Sequence, residues 1–181
     1  VTNAHVVESV GVGAIVKIRF ADGMEVPAKV LGMNTERDLA LVGLPPNPQG
    51  WPHVPLAPNG SLVEGQKVVT MGSPLGLPFT VTRGIVSGLG GDRGNIYVRN
   101  LQTDAAINHG NSGGPLLNMD GQVIGMNTSI KAPDPKSGSI GLGFAIISDD
   151  LKAALLQFAR LGNIDATWMG IIVDQSNPTA P

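Results

Sequence analysis

The sequence contains no cysteine, few aromatic residues and few charged ones. With no Cys among 181 residues, disulfides, thiolate metal sites and a cysteine nucleophile are excluded. Charged residues make up 14% and the net charge is -2, with no cluster of Lys or Arg, so we expect no nucleic-acid partner. The three histidines are far apart and no paired ligand motif accompanies them, so we expect no metal and no other cofactor. No run approaches the roughly 18 uninterrupted apolar residues of a transmembrane helix.

Glycine, proline and apolar residues are abundant instead. The 25 Gly, the 14 Pro and the 42% hydrophobic residues indicate a folded chain of short strands joined by turns. One helix is predicted between Ser148 and Gly162, because Ser148 can cap its start and Asp149 and Asp150 suit the positive end of the helix dipole. Runs of β-branched and alternating residues predict nine strands, at 14–20, 25–32, 39–44, 67–72, 80–88, 95–103, 115–119, 122–130 and 141–147.

These strands form two unequal groups around a stretch rich in Pro and Gly. Residues 1–46 carry three strands, 47–65 have the composition of a connector, and 66–162 carry six strands and the helix. Two equal six-stranded barrels would explain the count if three further strands preceded Val1, so we expect a fragment cut at both ends. The polar tail 163–181 is interpreted as a linker. The fold class predicted is all-β, a double β-barrel with a C-terminal helix and an incomplete first barrel.

The segment Gly110-Asn111-Ser112-Gly113-Gly114 is the strongest chemical signal. A nucleophilic serine needs an exposed hydroxyl on a tight turn, with backbone N–H groups free to hold an oxyanion. Flanking glycines permit the unusual backbone angles and the close approach of a substrate carbonyl. The same residues also suit an ordinary hairpin loop, so the motif is a hypothesis that needs context.

Chain order supplies that context. The motif also fits the G-x-S-x-G elbow of α/β-hydrolases, but those enzymes need a histidine after the serine. All three histidines (His5, His53 and His109) precede Ser112, and no acid precedes His5 as a subtilisin-like order would require. The remaining order, His then Asp then Ser, is that of chymotrypsin.

His5 and Asp38 are the candidates for the other two positions. His5 follows a turn of small residues. Asp38 directly precedes an apolar strand, whose first side chains would partly desolvate the carboxylate. Taken alone, His5 could be a surface histidine and Asp38 a turn residue. His53 lies between prolines and is interpreted as structural, whereas His109 is expected at the rim of the site.

The chain resembles the protease domain of the HtrA/Deg family of trypsin-like serine peptidases. The matching runs are 2–7, 37–42, 69–77, 82–87, 102–118 and 141–147. The resemblance implies a chymotrypsin-like double β-barrel with the active site between the barrels. It also implies a triad of His5, Asp38 and Ser112, and an oxyanion hole made by the N–H groups of Gly110 and Ser112.

The resemblance further implies what the enzyme cleaves. Ala106, six residues before the serine, would lie at the base of the substrate pocket, and Ile130 would add an apolar wall. Small or medium aliphatic residues such as Val or Ala are therefore expected before the scissile bond, in unfolded or misfolded proteins.

The family also implies a bacterial periplasmic or envelope location, a homotrimer or higher oligomer, and a PDZ domain after the linker. Two other classes remain open, a catalytically silent relative that binds peptides as a chaperone, and a purely structural β-barrel.

Overall fold

A computed structural model describes residues 1–73, 80–90, 99–131 and 138–161. The two helices within these ranges are α1 (Ala4–Val7) and α2 (Ser148–Leu161). The strands are β1 (Ile15–Arg19), β2 (Glu25–Asn34), β3 (Leu39–Gly43), β4 (Lys67–Gly72), β5 (Thr80–Leu89), β6 (Asn100–Thr103), β7 (Pro115–Leu117), β8 (Val123–Ile130) and β9 (Gly143–Ile147). In the described part of the chain, no helix is long and apolar enough to cross a membrane.

The first half is a three-stranded antiparallel sheet in the order β1-β2-β3. Alternation along β2 places Val26, Ala28 and Val30 in the interior, as expected of a strand with one buried face. The N-terminal segment joins this sheet, because Thr2 and Ala40 exchange backbone hydrogen bonds of 2.9 and 2.8 Å. Helix α1 follows directly, although the sequence predicted only a turn there.

The second half is a closed six-stranded barrel in the order β4-β5-β6-β9-β8-β7. Its interior is filled by apolar side chains that face inward from all six strands or from the turns beside them. The fully buried ones include Val68, Val86, Leu101, Leu116, Ile124 and Ala145. The predicted all-β fold class is therefore confirmed, with three strands in the first half and six in the second.

Most predicted strand limits shift in the structure, and two of these shifts have a clear physical cause. Strand β7 ends at Leu117 and not at residue 119, because the Asn118 side chain accepts hydrogen bonds from the N–H groups of Asp120 and Gln122 and turns the chain. Strand β9 begins at Gly143 because Gly141 has a φ of 84°, outside the range of a strand. The predicted start of a strand at 95–98 and the predicted linker at 163–181 lie outside the described residues.

Helix α2 joins the two halves of the molecule. Leu151 and Ala154 pack with Met126 and Ile146 of the barrel and with Leu39 of the first sheet. At the far end, a Cβ placed on Gly32 of β2 would lie 2.9 Å from the Phe158 ring, so this glycine makes room for the aromatic side chain. The helix therefore contacts both sheets.

Candidate active site

His5 and Asp38 form a close pair beside the first sheet. His5 Nδ1 lies 2.9 Å from both carboxylate oxygens of Asp38, and the His5 backbone N–H donates to Asp38 Oδ1 at 3.1 Å. The pairing of Thr2 with Ala40 brings α1 next to the start of β3, which places the two residues together. A proton on Nδ1 directed at the carboxylate leaves the other ring nitrogen free to accept a proton.

Asp38 is held by groups from both halves of the molecule. Among the described residues it is the one non-glycine with a positive φ, at 50°, a conformation that Asp tolerates better than most residues. The Asn3 side chain donates to its backbone carbonyl at 3.1 Å, and Thr128 Oγ1 of β8 donates to its Oδ2 at 2.6 Å. The carboxylate is thus fixed by the N-terminal segment on one side and by the barrel on the other.

Ser112 is half-buried on the tight turn before β7. Its hydroxyl donates to the backbone carbonyl of Thr128 at 3.3 Å, and within the described ranges no hydrogen bond joins it to His5. The structure therefore pairs His5 with Asp38 and places Ser112 one hydrogen bond from Thr128, the residue that also contacts Asp38.

Close packing requires the glycines around Ser112. A Cβ on Gly113 would overlap the Thr2 hydroxyl, and one on Gly114 would overlap the carbonyl oxygen of Met71. Gly113 also has a φ of 79°, where a side chain would be strained. The motif thus does more than form a turn, since it brings the serine against the segment that carries His5.

Two backbone N–H groups near the serine have no acceptor among the described residues. The N–H groups of the other loop residues are satisfied, because Asn111, Gly113 and Gly114 donate to backbone carbonyls at 2.9 to 3.0 Å. The N–H groups of Gly110 and Ser112 have no acceptor within the part of the chain that the structure describes. These are the two donors that the family resemblance implies for an oxyanion hole.

The predicted pocket residues lie on neighbouring segments. Ala106 is half-buried in the segment after β6, and Ile130 is the half-buried last residue of β8. Gly143 of β9 pairs with Ile130 on one side and with Thr103 of β6 on the other. The space above this glycine is taken by Ile107, whose Cδ1 would lie 2.9 Å from an added Cβ.

The other two histidines lie away from the pair. His53 is exposed in the segment between the sheets and contacts the carbonyl of Trp51, and His109 is exposed beside Gly110. No group of three His, Asp or Glu side chains that could hold a metal occurs within the described ranges.

Sequence reasoning missed Thr128. Its side chain bonds to a residue 90 positions away, and nothing in the local sequence of β8 marks that contact. A threonine inside an apolar strand is the one available signal, since a buried hydroxyl needs a partner.

Comparison with known proteins places the chain in a family. The family model for the trypsin-like peptidase domain matches residues 1–126. The chain is similar to the periplasmic serine endoprotease DegP of Salmonella typhimurium, with 42% identity over 98% of this chain and 36% of the relative. It is 41% identical to DegP of Escherichia coli over the same shares of the two chains. The chain therefore spans about a third of the length of these curated relatives.

Solved structures show the same likeness. A structure of the HtrA-type protease AlgW with a decapeptide superimposes with a TM-score of 0.83 at 34% identity, covering 94% of this chain and 51% of that one. A structure of AlgW with a tripeptide gives a TM-score of 0.77 at 33% identity, covering 87% and 50%. The predicted chymotrypsin-like fold and the predicted family are confirmed, and the chain belongs to the trypsin-like peptidase family as a homologue of the DegP and HtrA-type proteases.

Proposed function

We propose that this chain is the catalytic domain of a serine endopeptidase, with Ser112 as nucleophile, His5 as general base and Asp38 as the group that orients the imidazole. The observation that carries the proposal is one hydrogen-bonded series, from His5 to Asp38 to Thr128 to Ser112, that crosses from the first sheet to the barrel. The N–H groups of Gly110 and Ser112, which have no acceptor among the described residues, support it, because two such donors beside the nucleophile suit an oxyanion hole.

The reaction follows from these positions. Ser112 Oγ leaves the Thr128 carbonyl and donates its hydrogen bond to His5 Nε2. It then attacks the substrate carbonyl while the imidazole takes the proton. The carbonyl oxygen becomes an anion that the Gly110 and Ser112 N–H groups hold, and Asp38 stabilises the imidazolium. His5 next protonates the leaving amine as the C–N bond breaks and an ester with Ser112 remains. A water deprotonated by His5 hydrolyses the ester and restores the serine.

For the substrate, we propose unfolded or misfolded proteins cleaved after small or medium aliphatic residues. The base residue Ala106 carries no charge, so the pocket does not favour Lys or Arg, and Ile130 supplies an apolar wall. Such a pocket discriminates by about 1–3 kcal/mol per methylene, which suits a broad degradative role.

We propose a bacterial periplasmic or envelope location and a role in protein quality control. The names of the DegP relatives, periplasmic serine endoproteases, support the location. The whole protein is proposed to act as a homotrimer or larger assembly with a PDZ domain after the linker, on the family resemblance.

Cleavage of an unfolded protein, with the products sequenced by mass spectrometry, tests the proposed function. His5→Ala is expected to lower kcat by about 10⁴-fold. His53→Ala serves as the control, because His53 is also exposed and lies outside the hydrogen-bonded series, so kcat is expected to stay unchanged. Cleavage sites are expected to follow Val and Ala. A wild-type protein that binds the unfolded chain without cutting it would favour the chaperone alternative, and equal effects of the two variants would contradict the assignment of His5.

A further inference from the structure

The carbonyl of Ala106 accepts two side-chain hydrogen bonds. Thr82 Oγ1 of β5 donates to it at 2.9 Å, and Asn111 Nδ2 donates at 3.4 Å. Asn111 is the residue directly before Ser112 in the chain. The carbonyl at the base of the proposed pocket is therefore connected to a barrel strand on one side and to the nucleophile loop on the other.

The segment that ends in Ala106 is held against β5 by side chains. The backbone pairing of β5 with β6 reaches Val86 opposite Thr103, the last residue of β6. Beyond this point the Asp104 carboxylate accepts the Ile85 N–H at 2.7 Å, and the Thr103 hydroxyl donates to the Ile85 carbonyl at 2.7 Å. Strand β5 and the segment after β6 also lie in close contact, as Gly84 shows.

A glycine on β5 permits this approach. A Cβ on Gly84 would overlap both the Asp104 carboxylate and the Ala105 nitrogen. Thr82 makes the last of the side-chain contacts along this edge and reaches Ala106 itself.

We propose that Thr82 is a positioning residue that sets the depth of the substrate pocket. The inference rests on the proposed function and on Ala106 as the pocket base. The Thr82 hydroxyl fixes the Ala106 carbonyl. Because Asn111 also donates to this carbonyl, Thr82 in addition restrains the turn that carries Ser112. Without the hydroxyl the base is free to recede, so larger residues gain access relative to small ones.

The test compares Thr82→Val with Thr82→Ser. Valine keeps the shape and loses the hydroxyl, whereas serine keeps the hydroxyl and loses a methyl group. The measured quantity is the ratio of kcat/KM for two peptides that differ only in Val or Leu before the scissile bond. This ratio is independent of the fraction of folded enzyme, so destabilisation alone does not change it.

We expect Thr82→Val to lower the Val-to-Leu ratio about three- to tenfold, the range that corresponds to one neutral hydrogen bond, and Thr82→Ser to retain the wild-type ratio. An unchanged ratio in Thr82→Val, or an equal loss in Thr82→Ser, would overturn the proposal.

Hydrogen exchange of the peptide covering residues 104–112 gives a second measurement that needs no activity. Faster exchange in Thr82→Val, and wild-type exchange in Thr82→Ser, would support the restraint by Thr82. Identical exchange in all three proteins would overturn it. A wild-type protein that cleaves neither peptide would instead overturn the proposed function, and the exchange result would still decide the part assigned to Thr82.

Discussion

Thr128 is the residue that connects the two halves of the proposed site. Its hydroxyl donates to Asp38 and its carbonyl accepts from Ser112, so one β8 residue contacts both a group from the first sheet and the nucleophile loop. A hydrogen bond to a carboxylate is stronger than one between neutral groups, and here it fixes the carboxylate that is proposed to orient His5. We therefore expect the threonine side chain to affect the proposed reaction without contacting the substrate carbonyl.

Replacing Thr128 by Val is expected to lower kcat about tenfold with little change in KM, because the carboxylate loses one donor while the backbone carbonyl remains. Thr128→Ser keeps the hydroxyl and is expected to retain most of the wild-type kcat. Steady-state kinetics on a peptide substrate measures both variants. Equal kcat values for the Val and Ser variants would show that the hydroxyl has no part in orienting the triad.

The residues of the proposed triad could be named as candidates from the sequence, because chain order is informative and the family resemblance implies the same three residues. Three histidines that all precede Ser112 exclude two alternative arrangements, and the apolar strand after Asp38 makes this residue a candidate for the acid. Thr128 and Thr82 could not be found this way, since their partners lie 90 and 24 positions away and depend on how the strands close the barrel.

Helix α2 packs against both sheets. Its apolar stripe was visible in the sequence, since Leu151, Leu155 and Phe158 recur at helical spacing. The periodicity of the apolar residues shows that one face of the helix is buried, but it does not show which elements cover that face. The second contact surface, on Gly32 of β2, is a tertiary feature in which a glycine at a strand irregularity accepts an aromatic ring.

Phe158→Ala is expected to lower the free energy of unfolding by about 1–2 kcal/mol, since the ring is half-buried between the helix and β2. Leu156→Ala serves as the control, because Leu156 lies on the same helix and is 60% exposed, so its loss is expected to be near zero. Urea denaturation gives both values. An equal loss in the two variants would contradict the bridging contact of α2.

Strand limits show where sequence patterns stop being sufficient. Alternation located the strands of the first sheet to within two residues at each end. The end of β7 depends instead on one side chain, Asn118, which bonds to two backbone N–H groups and turns the chain before the apolar run is finished. Side-chain hydrogen bonds of this kind offer the backbone an alternative to strand pairing, and at Asn118 the turn forms in place of the strand.

At the scale of the whole molecule, the proposed site exists only where the two halves meet. His5 of α1 and Asp38 of the turn before β3 belong to the first half, whereas Ser112 of the loop before β7 and Thr128 of β8 belong to the second half. Helix α2 and the close approach of Thr2 to Gly113 hold the two halves of the molecule together. In the proposed reaction, Ser112 must first move its hydrogen bond from the Thr128 carbonyl to the imidazole of His5.

Labelling with a fluorophosphonate, read by intact mass, tests the central claim most directly. The reagent reacts with a serine only when base, nucleophile and oxyanion donors act together. We predict one adduct per chain, none in Ser112→Ala and strongly slowed labelling in His5→Ala. Failure of the wild-type protein to react, or an adduct that persists in Ser112→Ala, would contradict the assignment of Ser112 as the nucleophile.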